Sequence, residues 1–164
     1  MKRHTNLFNS IIEIENLKIA SKKAKKGKRW QNNIKKFEVN EEEKLYFLQQ
    51  NLAEKTFKTS AYKIKKIYTP KERDIYKLPF YPDRIVQHAI MNILEPIWDK
   101  LFIDQSYACR KGKGQHKGRL KCKKFVKRNQ YCLKCDIKKF YPSINHNILF
   151  AIIQRKIKCK DTLD

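Results

Sequence analysis

Asp136 is the single acid between Gln105 and Tyr141, and the stretch before it, Arg110 to Lys134, carries eleven lysines and arginines. A carboxylate in such surroundings is either pinned by a salt bridge or available to a divalent cation. It lies near the end of a short apolar run, Tyr131 to Ile137, which reads as a strand. A strand end is a rigid mount for a metal ligand, and the backbone carbonyl of Ile137, next in line, can face the same ion. Nucleotidyl transfer uses two metal ions about 4 Å apart, clamped by carboxylates, to activate an attacking hydroxyl and stabilise a leaving phosphate. On spacing alone, an aspartate that caps the following turn is the commoner use of such a residue, because one carboxylate is a weak signal.

Two other groups are suited to phosphate. Lys65, Lys66, Lys71 and Arg73 come close together if the segments Tyr62–Tyr68 and Ile75–Phe80 pair as a hairpin across the turn residues Thr69 to Asp74. Arg binds phosphate oxygens bidentately and Lys adds a point charge, which suits a triphosphate. Lysines that protect an exposed hairpin end from edge pairing are the equal alternative. The acid-poor stretch that includes Arg110, Lys111, Lys113, Lys117, Lys121, Lys124 and Arg128 is interleaved with Phe125 and flanked by Tyr107 and Tyr131. That pattern suits tracking a nucleic-acid backbone, since like charges at i,i+4 would otherwise destabilise the helix they occupy. Cys132 and Cys135 have C-x-x-C spacing but no second cysteine pair. Zinc ligation with Cys109, His116 or Cys122 is conceivable, and half-buried strand cysteines are the simpler reading. His88 and His146 read as structural.

These groups need elements to position them. Leu7, Ile11, Ile14, Leu17 and Ile19 predict an amphipathic helix over 5–20, and Leu45, Phe47, Leu48 and Leu52 predict another over 41–54 with an acidic first turn. Ser21 to Arg29 is a charge run, either a basic helix end or a flexible arm. Asp83 is placed to cap a long helix over 84–102, kinked or divided at Pro96. A loop with two glycines over 106–114 precedes a helix over 115–129. After the strand at 131–137, Pro142 opens a last helix bearing Ile148, Leu149, Ile152 and Ile153. The order predicts an α+β fold with an incomplete sheet. The 164 residues carry a net charge of +23, a self-repulsion that an anionic partner such as nucleic acid would offset. There is no secretory leader and no apolar run near the ~20 residues that cross a bilayer. No membrane association and an intracellular, cytoplasmic setting with reduced thiols are therefore expected.

Taken together the segments resemble the N-terminal part of bacterial retroelement reverse transcriptases, the group that includes group II intron maturases, retrons and diversity-generating retroelements. Four blocks carry the likeness in order. They are Tyr68-Thr-Pro-Lys-Glu-Arg-Asp-Ile; Pro79-Phe-Tyr-Pro-Asp-Arg-Ile-Val-Gln-His-Ala-Ile with Leu94-Glu-Pro-Ile; Phe102-Ile-Asp-Gln-Ser-Tyr-Ala-Cys-Arg-Lys-Gly-Lys-Gly-Gln-His; and Leu133-Lys-Cys-Asp-Ile-Lys-Lys-Phe-Tyr-Pro-Ser-Ile-Asn-His. The Ser-Tyr-Ala-Cys-Arg run is closer to the diversity-generating and retron-like branches than to typical maturases.

The resemblance implies the fingers and partial palm of a right-hand polymerase: a helical extension over 1–60, fingers over 61–130 and the start of a palm over 131–164. It implies RNA-directed DNA polymerase activity by two-metal nucleotidyl transfer with Mg2+. Asp136 and the Ile137 carbonyl would be metal ligands, Tyr141 the aromatic gate against a 2′-hydroxyl, and Lys65, Lys71 and Arg73 the triphosphate contacts. Arg110 would touch the template or brace the fold. The implied partners are template RNA, an RNA/DNA duplex, a dNTP and, in some branches, an accessory retroelement protein. The family's Tyr-x-Asp-Asp motif has no counterpart, because the chain holds no Asp-Asp pair. The thumb is also missing, and Lys156 to Asp164 looks like a family helix cut short. The expectation is a fragment that binds RNA or template-primer, has a two-ion site only partly encoded, and is inactive alone. The alternative is a non-catalytic basic RNA-binding module. An unpaired sheet edge predicts a homodimer.

Overall fold

The computed structural model of the chain describes Arg3–Asp164. It is a mixed chain of helices with one small antiparallel sheet of two strands. Its contacts divide it into two units, His4–Glu95 with Cys159–Asp164, and a second that holds Pro96–Lys158.

The first unit is built on α1 (Leu7–Ile12), α2 (Ile14–Lys25), α3 (Asn32–Glu38) and α4 (Glu41–Ala53). The expected single helix over 5–20 is instead two, because Glu13 is extended (ψ 134°) and breaks the hydrogen-bond ladder between them. The charge run from Ser21 continues α2 to Lys25. A third helix, α3, has too few apolar positions to show a period, only Ile34 and Phe37 being buried. Leu17, Ile34, Leu45, Leu48 and Ile85 are sealed in one core. Each such side chain contributes about 1.5–3 kcal/mol over its exposed state. Phe37 meets the Phe80 ring edge-on at 5.2 Å.

Two polar devices fix the register of this core. Buried Asn16 donates to the carbonyls of Ile11 (2.8 Å) and Ala89 (3.1 Å) and accepts from the Asn92 amide (2.8 Å), so all its strong bonds are made. Buried Lys25 bridges Glu41 (2.5 Å) and Glu38 (3.2 Å). Burial pushes the Glu41 carboxyl up. The hydrogen bonds from Lys25 and Ser21 and the nearby charges of Lys25 and Arg29 outweigh it and hold the group below the usual carboxylate range.

Beyond α4 the chain forms β1 (Lys63–Ile67) and β2 (Arg73–Lys77). Lys65 lies opposite Ile75 and Ile67 opposite Arg73. The second strand begins at Arg73, two residues before the expected Ile75. A kinked segment, Phe80–Arg84, in which Tyr81 is extended (φ −111°, ψ 136°), leads into α5 (Ile85–Asp99), which carries Pro96 inside it and is not divided there. Asp83 does not cap this helix: its Oδ1 accepts from the Ser60 amide at 2.9 Å.

The second unit contains α6 (Gln115–Val126), α7 (Phe140–Ser143) and α8 (His146–Gln154); the last short helix, α9 (Lys160–Leu163), belongs to the first unit. The expected strand over 131–137 is not formed: the segment has no ladder partner among the described residues. A strand's N–H and C=O groups need a neighbour to pair with, and none is supplied. The incomplete palm sheet is therefore corrected to a single hairpin, and Cys132 and Cys135, expected to be half-buried, are exposed. In the same unit the apolar residues Ile148, Leu149, Phe150 and Ile152 of α8 are exposed, and Ile157 is its one buried hydrophobic residue among those described. Asn145, rather than Pro142 or His146, starts α8, its side chain accepting from the amides of Asn147 and Ile148. Among the described residues no helix is long and apolar enough to cross a membrane.

Removing the buried cation strands two carboxylates, so Lys25→Ala should lower the unfolding free energy by about 3 kcal/mol in urea titration. The depressed Glu41 carboxyl contributes stability that is complete above its unfolded-state value, about 4.3. That contribution is lost as pH falls through the lower folded-state value. Glu41→Gln should therefore flatten the acid limb of the stability profile and leave no extra pH dependence near neutrality.

Candidate active site and nucleic-acid interface

Over Pro96–Lys158 there are only three acids, Asp99, Asp104 and Asp136, against seventeen lysines and arginines. Asp99 and Asp104 are engaged. The Arg110 Nε donates to the Asp99 carboxylate at 2.7 Å, and its terminal nitrogens donate to the carbonyls of Asp99 (2.9 Å), Ile103 (2.9 Å) and Ser106 (3.1 Å). Its guanidinium also faces the Phe102 ring at 5.6 Å. Three carbonyls and a carboxylate around one planar cation close the loop that follows α5, so in this unit the guanidinium acts as a brace. Lys113 donates to the Asp104 carboxylate and carbonyl, and that bond holds the Asp104 carboxyl below its ordinary range.

Asp136 is different. It is exposed and makes no hydrogen bond or ion pair among the described residues. Ile137 beside it is exposed too. Lys139 takes a left-handed conformation (φ 49°, ψ 46°) that turns the extended segment into α7. Tyr141, in α7, leaves 82% of its surface open and meets the Phe140 ring edge-on at 5.3 Å. Asp136, Ile137 and Tyr141 thus lie on one short, solvent-facing run of chain.

The basic residues of the same unit form a surface with a direction. Lys117, Lys121, Lys124 and Arg128 recur at i, i+4, i+7 and i+11, which places them along one face of α6 and its continuation. Tyr107, Lys113, Lys117, Leu120, Lys121 and Lys124 line a shallow depression of about 260 Å3. Lys113 sits over the Tyr107 ring at 5.4 Å and Lys121 over the Phe125 ring at 5.5 Å. Gly118 is the seat for Tyr107: a Cβ there would come within 3.2 Å of its ring. Lys111 is exposed in the preceding loop. Cations over an aromatic floor with no acid on the helix attract a phosphate backbone and offer a surface for a base. A glycine in the middle of a helix was the available sign of a close approach.

In the other unit, strand alternation sorts the hairpin cations. Lys65 and Arg73 share one face with Ile67 and Ile75, while Lys66 projects from the opposite face, near Asp74, and pairs with Glu72 at 3.4 Å. Lys71 is exposed in the turn. Among the described residues no three His, Cys, Asp or Glu side chains gather as a metal would require, which leaves no zinc site on the cysteines.

Arg110→Ala should remove the loop's brace. It should cost about 2–3 kcal/mol and speed amide exchange over residues 99–114. Asp136→Ala removes an exposed side chain without partners, so its unfolding free energy should stay within about 0.5 kcal/mol of wild type.

Residues 64–162 match a family model described as Reverse transcriptase (RNA-dependent DNA polymerase). The chain is 26% identical over 101 residues to Protein YkfC of Escherichia coli (strain K12), a match covering 57% of this chain and 26% of that protein. It is 30% identical over 81 residues to the group II intron-encoded protein LtrA of Lactococcus lactis subsp. cremoris, covering 49% of this chain and 14% of LtrA. The chain therefore spans well under two thirds of the length of these curated relatives.

Proposed function

This chain belongs to the reverse transcriptase (RNA-dependent DNA polymerase) family, and we propose that it forms the fingers and the start of the palm of a retroelement polymerase that copies RNA into DNA. The observation that carries the reading is Asp136, the one acid of Pro96–Lys158 that no lysine or arginine engages among the described residues. A carboxylate kept free amid phosphate-attracting cations is what a nucleotidyl-transfer site requires.

In this reading Asp136 and the Ile137 carbonyl supply the first ligands for divalent ions, Mg2+ being the natural choice for phosphate chemistry. One carboxylate and one carbonyl do not by themselves fit a two-ion centre; the remaining acids would come from a Tyr-x-Asp-Asp segment like the family's. The chain's own contribution is positioning. Tyr141 presents an open ring that excludes a 2′-hydroxyl by bulk. Lys65 and Arg73, on one hairpin face, with Lys71 at the turn, hold a dNTP triphosphate. Lys66, paired with Glu72 on the other face, is excluded from that role. Lys111, Lys113, Lys117, Lys121, Lys124 and Arg128 track the template strand or the RNA/DNA duplex, with Arg110 bracing the loop before them. The exposed apolar face of α8 favours self-association or an accessory retroelement protein, and light scattering at rising concentration should show a mass above that of the monomer. The setting is the cytoplasm, where the free thiols stay reduced.

Two experiments test the proposal. Purified residues 1–164 should not extend a primer on an RNA template with Mg2+ and dNTPs, because the second pair of acids is absent; template-dependent incorporation abolished by Asp136→Ala would overturn this. The same protein should bind RNA with a strong salt dependence. Replacing Lys117, Lys121 and Lys124 by Ala should reduce the slope of log K against log salt by about 2–3 without altering sequence preference. An unchanged slope removes α6 from the interface.

A further inference from the structure

The first unit encloses a cavity of about 410 Å3 that the polymerase reading does not use. Much of its wall is apolar, formed by Phe8, Ile11, Leu52, Phe57, Val86 and Ile90. Such a volume and such walls are those of a small-molecule site. Its polar wall is unusual for this protein. Asp83, Asp161 and Asp164 line it, and no lysine or arginine does among the described residues, in a chain with 39 basic and 16 acidic residues. Lys55, outside the lining, engages Asp161 at 2.5 Å and lies 3.9 Å from Asp164.

Asp83 is the informative member. It is 2% exposed. One carboxylate oxygen accepts the Ser60 amide at 2.9 Å, and the other, Oδ2, has no partner among the described residues. A buried carboxylate oxygen left unpaired is costly, by about 1–3 kcal/mol or more, and a donor in the cavity relieves that cost. The acid-rich, base-free lining selects a cationic donor over a phosphate or carboxylate, and the apolar wall selects a hydrocarbon body.

We propose that this cavity binds a small primary amine, its ammonium group donating to Asp83 and its apolar body lying against Ile11, Val86 and Ile90. The cavity is built from residues of the first unit alone, whereas Asp136 and α6 belong to the second, so its loss leaves the polymerase reading standing.

The test uses the full 164-residue protein and n-hexylamine, with 1-hexanol and hexanoate as controls at equal ionic strength. Hexylamine should raise the melting temperature saturably, and the controls should not. Asp83→Asn keeps the shape and the acceptor for the Ser60 amide but replaces the free oxygen by a donor; it should weaken hexylamine binding about tenfold or more. On wild-type protein, which bypasses any folding defect of the variant, hexylamine protons should show nuclear Overhauser contacts to the Ile11, Val86 and Ile90 methyls. An equal response to hexanol, unaltered affinity in a folded Asp83→Asn, or no contact to those methyls overturns the proposal.

Discussion

Carboxylates are scarce in this protein, and the structure turns on where they are used. With 16 acids against 39 bases, each acid near a lysine or arginine tends to become a structural fastener. Glu38 and Glu41 neutralise a buried lysine at the centre of the first unit. Asp99 gathers Arg110 and closes a loop, and Asp104 holds Lys113. Of the three acids in Pro96–Lys158, Asp136 is the one with no such task among the described residues. Asp136 is left to face solvent amid cations, a position that a fold gains nothing from by itself.

The cations are ordered as well as abundant. On β1 and β2 the pleat separates Lys65 and Arg73 from Lys66, and Glu72 occupies the latter. On α6 the helical repeat draws Lys117, Lys121 and Lys124 into a line, with Lys121 over the Phe125 ring, while Lys113 in the loop before it lies over Tyr107. Both are ways of giving direction to repulsive charge. A strand or helix of this composition is unfavourable in isolation, and an anionic strand laid along it turns the repulsion into affinity through counterion release.

Local pattern made much of this legible from residues alone. Three glutamates followed by Leu45 and Leu48 mark α4 to within a residue, because an acidic first turn and a 3.6-residue stripe agree. The hairpin was visible in alternation broken by Thr69-Pro70. The lone acid at 136 needed nothing but a count. What failed was non-local. Residues 131–137 have the composition of a strand, yet strand formation depends on a ladder partner that no local pattern reveals. Whether Arg110 touched a ligand or held the fold depended on the path of residues 99–106, since three of its acceptors are main-chain carbonyls there. The face on which Lys66 falls follows from register, and α3 is too short to show a period.

Tyr107 and Gly118 show a different kind of dependence. The ring lies 3.2 Å from where any larger residue at 118 would place its first carbon, so it would have to give by a few tenths of an ångström. The two positions are thus a matched pair, free to change together and constrained to hold apart. In lineages descended from a common ancestor, a methyl gained at 118 should be accompanied by a smaller or re-angled side chain at 107, and the correlated drift of these two sites would record a contact that neither residue discloses alone.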